Sequence, residues 1–227
     1  MPSDRVAAAT LTLNRFDVVG QDGAESTFIA HAGLAESAGS QNAARIPVLD
    51  MGPPLHGHSA PGHIKADVVG SAALTDDEAN KIKTFVDRHA NEHAAFAQVN
   101  ARQLVQRAPE MYCVLPHASP LLEDDGRYAR TRFSCAGFVV EAYNKARIRL
   151  LDLNGLPPVG MSIIAVAYPQ QTRLITNGRV SADAFGLGGR GPWKVLLCGY
   201  LFHALNRDAN MIRRESYTPT LDNRHFG

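Results

Sequence analysis

Hydrophobic and polar positions change their rhythm along this chain. From Thr10 to Asp50, short stretches rich in Val, Ile, Leu and Phe are separated by turn signals such as Gly20-Gln21-Asp22-Gly23 and Ala38-Gly39-Ser40-Gln41-Asn42. Apolar runs bounded in this way predict antiparallel strands joined by surface loops. The strand candidates are residues 13–19, 27–35 and 48–51. Residues 52–63 are rich in Pro and Gly and predict a loop, after which 64–69 resume strand character. The spacing then becomes helical. Thr75-Asp76-Asp77-Glu78 has the Thr-x-x-Glu form of a capping box, and Ile82, Phe85, Val86, Phe96 and Leu104 follow at helical intervals. Together they predict one long helix from about Asp76 to Gln106.

After a polar loop at Glu123-Asp124-Asp125-Gly126 comes Arg132-Phe133-Ser134-Cys135-Ala136-Gly137-Phe138-Val139-Val140. Ser directly before an apolar-periodic run is an N-cap signal, so Cys135 is expected at the first helical position. There the unpaired amides and the helix dipole favour an anion, and a thiolate is such an anion. In the tail, residues 161–168, 172–176 and 193–205 are further strand or helix candidates. The last of these is apolar at almost every position, which predicts core packing with Cys198 as a buried bystander.

A thiol at a helix start becomes chemistry only with a base. His31 is the single ionisable side chain of the strand-like run Thr27-Phe28-Ile29-Ala30-His31-Ala32-Gly33-Leu34-Ala35. An imidazole that takes the thiol proton needs a third group to orient it. Asp50, at the end of a strand candidate, is the choice for that role. Glu36 lies an odd number of residues from His31, so strand alternation sends it to the opposite face. The alternatives are a buried structural cysteine, an ordinary strand histidine, and an Asp50 that merely starts a turn.

Cys135-Ala136-Gly137-Phe138-Val139 and His31-Ala32-Gly33-Leu34-Ala35 resemble the nucleophile and base segments of the NlpC/P60 group of papain-like cysteine hydrolases. The histidine precedes the cysteine here, as in the circularly permuted branch of that family. The opening strand Leu13-Asn14-Arg15-Phe16-Asp17-Val18-Val19, the strand Val48-Leu49-Asp50-Met51 and the helix continuation from Glu141 to Ile148 agree with the same pattern. The family usually has Ser after its Cys, where this chain has Ala136. The resemblance implies an α+β, papain-like, circularly permuted fold, an antiparallel sheet packed against helices, in a single catalytic domain over 1–227 with a helical insertion around 75–106. It also implies a cysteine peptidase or amidase with Cys135, His31 and Asp50 as catalytic residues. The substrate would be a peptide or N-acyl amide, and no cofactor or metal is needed. A thiol acyltransferase or thioesterase acting on lipid acyl groups, and a catalytically silent peptide-binding module, stay open beside it.

Composition adds mostly exclusions. The 227 residues carry 23 basic and 22 acidic side chains, a formal net charge of +1, which offers no electrostatic case for a nucleic-acid partner. Three scattered cysteines form no disulfide framework, and no leader or apolar stretch long enough to span a bilayer is evident. A reducing, cytoplasmic location is the expectation, with leaderless export open and the oligomeric state undetermined.

A rival constellation sits in the predicted helix. His89-Ala90-Asn91-Glu92-His93 has the His-x-x-Glu-His form of inverted zinc peptidases, with both histidines on one helical face. No third ligand is identifiable, and the face continues from Phe85 to Phe96, which suits packing. His56, His58 and His63 form a second cluster in the expected loop, a site at most for adventitious metal. Gly186-Leu187-Gly188-Gly189-Arg190-Gly191 lacks a P-loop ending and reads as a turn, and Arg213-Arg214 reads as a solvated pair.

Overall fold

The computed structural model describes residues 16–22, 29–36, 45–51, 56–61, 67–70, 72–102, 112–114, 116, 119–122 and 128–224. These form a mixed α+β structure. Strands β1 (Phe16–Asp22), β2 (Ile29–Glu36), β3 (Arg45–Asp50), β4 (His56–Pro61) and β5 (Asp67–Gly70) make a five-stranded sheet in the order β4-β3-β2-β1-β5, antiparallel throughout. The strand carrying His31 is therefore the central one. Its residues Ala32, Leu34 and Ala35 are buried, as a strand covered on both faces requires.

Two strand boundaries differ from expectation. Gly20, Gln21 and Asp22 continue β1 instead of turning, and the ladder to β2 shifts register between Gln21 and Asp22. Gly20 and Gln21 pair regularly with Ala32 and His31, and the shift leaves Ala30 of β2 as the extra residue. Likewise His56 to Pro61, expected as a loop, is edge strand β4. An edge strand has one unpaired side and so tolerates Gly and Pro. The turn at residues 38–42, the remainder of the 52–63 stretch (His63 included) and the polar loop at 123–126 lie outside the described residues.

Helix α1 (Asp76–Val99) begins with the expected capping box: Thr75 Oγ1 accepts from the Glu78 amide at 3.3 Å, and Glu78 Oε2 accepts from the Thr75 amide at 2.8 Å. Its buried positions Ala79, Ile82, Val86, His89, His93 and Phe96 alternate steps of three and four, one stripe of an amphipathic helix. The helix stops at Asn100 rather than near Gln106. The Asn100 amide makes the last helical bond, to the Phe96 carbonyl at 3.0 Å, and its Nδ2 folds back to the same carbonyl at 2.9 Å, a side-chain-to-backbone bond that suits a helix end.

Helix α2 (Cys135–Lys145) is buried from Cys135 to Val140 and again at Ala142 and Tyr143, and it packs against β2 and α1. Apolar on nearly every side, it is the central helix of the core. It ends in a Schellman motif: Ile148 N–H donates to Tyr143 O at 3.0 Å and Arg147 N–H to Asn144 O at 2.9 Å. Arg147 holds the left-handed position, φ 62°, that normally belongs to glycine.

The tail resolves into helices and short pairings. Helices α3 (Met161–Ala167) and α4 (Pro169–Thr176) are divided at Tyr168, φ −132°, because a residue before proline is disfavoured in the helical region. Helix α5 (Cys198–Leu205) packs on β5 and β2, and Gly70 makes the approach possible, since a Cβ there would lie 2.5 Å from Leu205 Cβ. Helix α6 (Ala209–Arg214) follows. The ribbons are β6 (Ser119–Leu122) with β7 (Tyr128–Arg132), and β8 (Pro158–Val159) with β9 (Trp193–Lys194). Arg213, exposed as expected of a solvated pair, also grips Glu78 with Nη1 to Oε1 at 2.7 Å and Nη2 to Oε2 at 2.9 Å, tying α6 to the start of α1. No helix among the described residues is long and apolar enough to cross a membrane.

Two stability tests follow from these termini. The Arg213 guanidinium, with the capping bonds, holds the Glu78 carboxyl down to about 2. A depressed carboxylate stabilises the fold above its unfolded value, near 4.5, and the contribution is lost as pH falls toward 2. Glu78→Gln should therefore cost about 1 kcal/mol at neutral pH and flatten the urea-midpoint profile across that acid window. Arg147→Gly should raise the urea-derived stability by about 1 kcal/mol by relieving the left-handed side chain.

Candidate active site

Ser134, fully buried and in extended conformation at φ −82°, ψ 169°, caps α2 by accepting from the Gly137 amide at 2.9 Å. Cys135 is thus the first helical residue, as its spacing predicts. Gly137 keeps the cap compact, because a Cβ would stand 3.0 Å from Ser134 Oγ.

The packing of α2 on β2 brings His31 to this thiol. The hydrogen bond from His31 and its charge both act on the Cys135 sulfur. His31 is half-buried and its backbone pairs with Gln21 in β1. Asp50 ends β3 opposite Gly33. By the two-residue period, position 50 shares the sheet face of positions 31 and 33, one step along from the histidine. Position 36 belongs with 32 and 34 on the other face.

Two further groups reach the sulfur that sequence reasoning did not single out. Tyr112 forms a parallel bridge with Phe133, just before the cap, and its hydroxyl both accepts from the Cys135 amide at 3.3 Å and donates to Cys135 Sγ at 3.5 Å. Cys198, far from being a bystander, is the first residue of α5, and its Sγ stands 3.5 Å from Cys135 Sγ. Two helices therefore start at one point, each with a cysteine in first place. No local pattern marks Tyr112, because its relation to Cys135 exists only through a long-range bridge. Cys198 had a weak signal, a thiol following an apolar run, which the sequence shares with any buried cysteine.

The electrostatics divide the two thiols. The hydrogen bond from Cys198 is the largest influence on Cys135; against the opposing cost of burial, it acts with His31 and Tyr112 to hold that thiol well below its ordinary range. Cys198 is pushed well above its own range, first by the same hydrogen bond and then by burial. Of the two, Cys135 is therefore the more acidic thiol and Cys198 the one that holds its proton more tightly. Burial, with the Cys135 charge beside it, also raises the Tyr112 phenol, so it stays a neutral donor. Tyr168, whose hydroxyl donates to the Leu196 carbonyl, is raised for the same reasons and packs edge-on against the Tyr112 ring at 6.2 Å. The site is closed: Cys135 is 1 % exposed and Cys198 4 %. A cleft of about 740 Å³ between α1 and α2, lined by Phe85, His89, Phe133, Glu141 and Lys145, is not lined by Cys135.

Among the described residues nothing completes the zinc site that the α1 spacing suggested. His93 is fully buried and its Nε2 faces the Thr131 carbonyl at 3.3 Å, so that nitrogen carries a proton and is spent as a donor. His89 packs edge-on between Phe85 and Phe133, with centroids at 4.5 and 5.1 Å, and its Nδ1 meets Glu92 Oε2 at 3.0 Å. Burial lowers its pKa, with Glu92 opposing. Glu92 also accepts from Arg88 at 3.1 Å. Both histidines are core residues on the buried stripe. His56 and His58 lie in β4, and among the described residues no group of three or more His, Cys, Asp or Glu side chains is arranged to hold a metal.

No protein-family model matches the chain, and neither a curated protein nor a solved structure matches it.

The thiolate assignment is open to direct titration. The ultraviolet thiolate band lost on Cys135→Ser should persist below the ordinary thiol range, and His31→Ala should move its midpoint upward by about one pH unit or more. A band that titrates like a free thiol in both proteins would contradict the assignment.

Proposed function

We propose that the protein is a cysteine-dependent amide hydrolase, acting on a peptide or N-acyl amide through an acyl-thioester, on a scaffold resembling the circularly permuted NlpC/P60 branch of papain-like hydrolases. One observation carries this reading: a strand imidazole, remote in sequence, lowers the pKa of a helix-start thiol whose sulfur also lies within hydrogen-bond reach of Tyr112 and Cys198. The α+β architecture, with the histidine on an antiparallel strand and the cysteine on the packed helix that follows, supports the same reading.

The chemistry follows from the neighbours. His31 holds the proton released by Cys135, and the thiolate attacks the carbonyl carbon. As the sulfur loses its charge on forming the C–S bond, the Tyr112 hydroxyl that donated to it is free to turn toward the developing oxyanion. The Cys135 amide, now bonded to that hydroxyl, is the second donor available there. Imidazolium then delivers its proton to the leaving amine, and water attacks the thioester with His31 as base. Asp50, on the His31 face of the sheet, is assigned the orienting role. With Cys135 enclosed, a carbonyl arrives only as surrounding side chains part.

That same enclosure is the observation favouring the second reading, a catalytically silent peptide-binding module. Turnover of peptide and N-acyl amide panels, with mass spectrometry for an acyl adduct on Cys135, separates the two. Hydrolysis is expected to vanish in Cys135→Ala and to fall about 10³-fold in kcat/KM in His31→Ala. Tyr112→Phe should lower kcat by about tenfold or more with little change in KM. Turnover that survives Cys135→Ala would refute the hydrolase reading. Peptide binding without turnover or adduct would favour the silent module, and acyl transfer to an added amine or alcohol in place of water would favour an acyltransferase.

A further inference from the structure

We propose that Cys135 and Cys198 form a reversible disulfide when a hydroperoxide enters the site, making the pair an oxidative modification site.

The geometry is that of two sulfurs already in contact. Their 3.5 Å separation needs to shorten by about 1.5 Å to reach a disulfide of about 2.05 Å. Each side chain hangs from the first residue of a different helix, so small rotations about both Cα–Cβ bonds close the gap without unwinding either helix. The pair is also chemically unequal, as oxidation through a sulfenic acid requires: one sulfur is a thiolate held by His31 and Tyr112, the other a protonated thiol pressed against it.

The steps balance. The Cys135 thiolate attacks the terminal peroxide oxygen, the O–O bond breaks, and Cys135 becomes a sulfenic acid. The departing alkoxide, or hydroxide from hydrogen peroxide, takes a proton from the His31 imidazolium and leaves as alcohol or water. The Cys198 sulfur then attacks the Cys135 sulfur, the S–O bond breaks, and the oxygen leaves as water with the Cys198 proton. Two thiols have lost two electrons and two protons, and the hydroperoxide has been reduced. Enclosure selects this outcome over mixed disulfides. Cys135 and Cys198 are 1 % and 4 % exposed, so a water-sized peroxide has an advantage over a tripeptide disulfide, and the neighbouring thiol is the resolving group at hand.

Formation of the disulfide does not depend on the hydrolase reading; loss of turnover on oxidation does. Full-length protein treated with a small excess of hydrogen peroxide and digested without reductant should yield one new cross-linked peptide joining Cys135 to Cys198. It should be lighter by two hydrogens and be restored by dithiothreitol. Cys198→Ser should give no cross-link and accumulate sulfinic or sulfonic acid at Cys135, while Cys113→Ser should behave as wild type. As a variant-free check, the thiols counted after unfolding should fall from three to one per chain on peroxide treatment and return to three with dithiothreitol. Over-oxidation of Cys135 in the wild type, a Cys113 cross-link in its place, or no thiol loss would overturn the proposal. A Cys135–Cys198 cross-link in a protein lacking any Cys135-dependent turnover would leave the disulfide standing and refute the hydrolase alone.

Discussion

The approach of His31 to Cys135 makes demands on the whole molecule, because an imidazole lowers a thiol's pKa only from close by, which leaves little tolerance in the placement of the elements that carry the two groups. The central position of β2 fixes one side: it is paired on both edges and covered on both faces. The other side depends on α2, which is apolar almost all round and pinned at both ends, by Ser134 at its start and by the Schellman bonds at its finish. A charged sulfur in such surroundings would be costly alone. The Cys198 thiol, the imidazole and the Tyr112 hydroxyl compensate it from several directions, which is why burial raises the other acids of the cluster and yet fails to raise Cys135.

The meeting of two helix starts gives the site its second character. Had only α2 begun at this point, Cys135 would be a thiol beside a histidine. Because α5 begins there too, packed on β2 and, through the close approach at Gly70, on β5, the Cys135 sulfur has a sulfur neighbour as well as hydroxyl and imidazole neighbours. The hydrogen bond that helps create the thiolate is therefore made by the group best placed to react with it once it is oxidised. Activation and oxidative capture are two consequences of one contact.

The histidines of α1 offer the instructive contrast. His89 and His93 have the spacing expected of metal ligands, yet they occupy the same three-and-four stripe as Ile82, Val86 and Phe96 and spend their nitrogens on Glu92 and the Thr131 carbonyl. Helical spacing that aligns two ligands on one face also aligns two core residues, so the motif cannot distinguish them. His31, with no motif of that strength, meets a thiol.

What the sequence determined by itself was local. The capping box at Thr75, the Ser134 cap with Cys135 behind it, and the apolar runs that became β1, β2 and β3 all depend on residues a few positions apart, where side-chain chemistry and periodicity act directly. The misjudged boundaries are those where a partner overrides composition: β4 is Gly- and Pro-bearing chain recruited to a sheet edge, and the Gly20 turn signal was drawn into a bulged ladder. The tertiary structure alone decided which groups surround the sulfur. Tyr112 arrives through a bridge to Phe133 and Cys198 through the packing of α5 on the sheet. Both are contacts between segments distant in the chain, and their energy lies in burial and pairing that no local window of residues encodes.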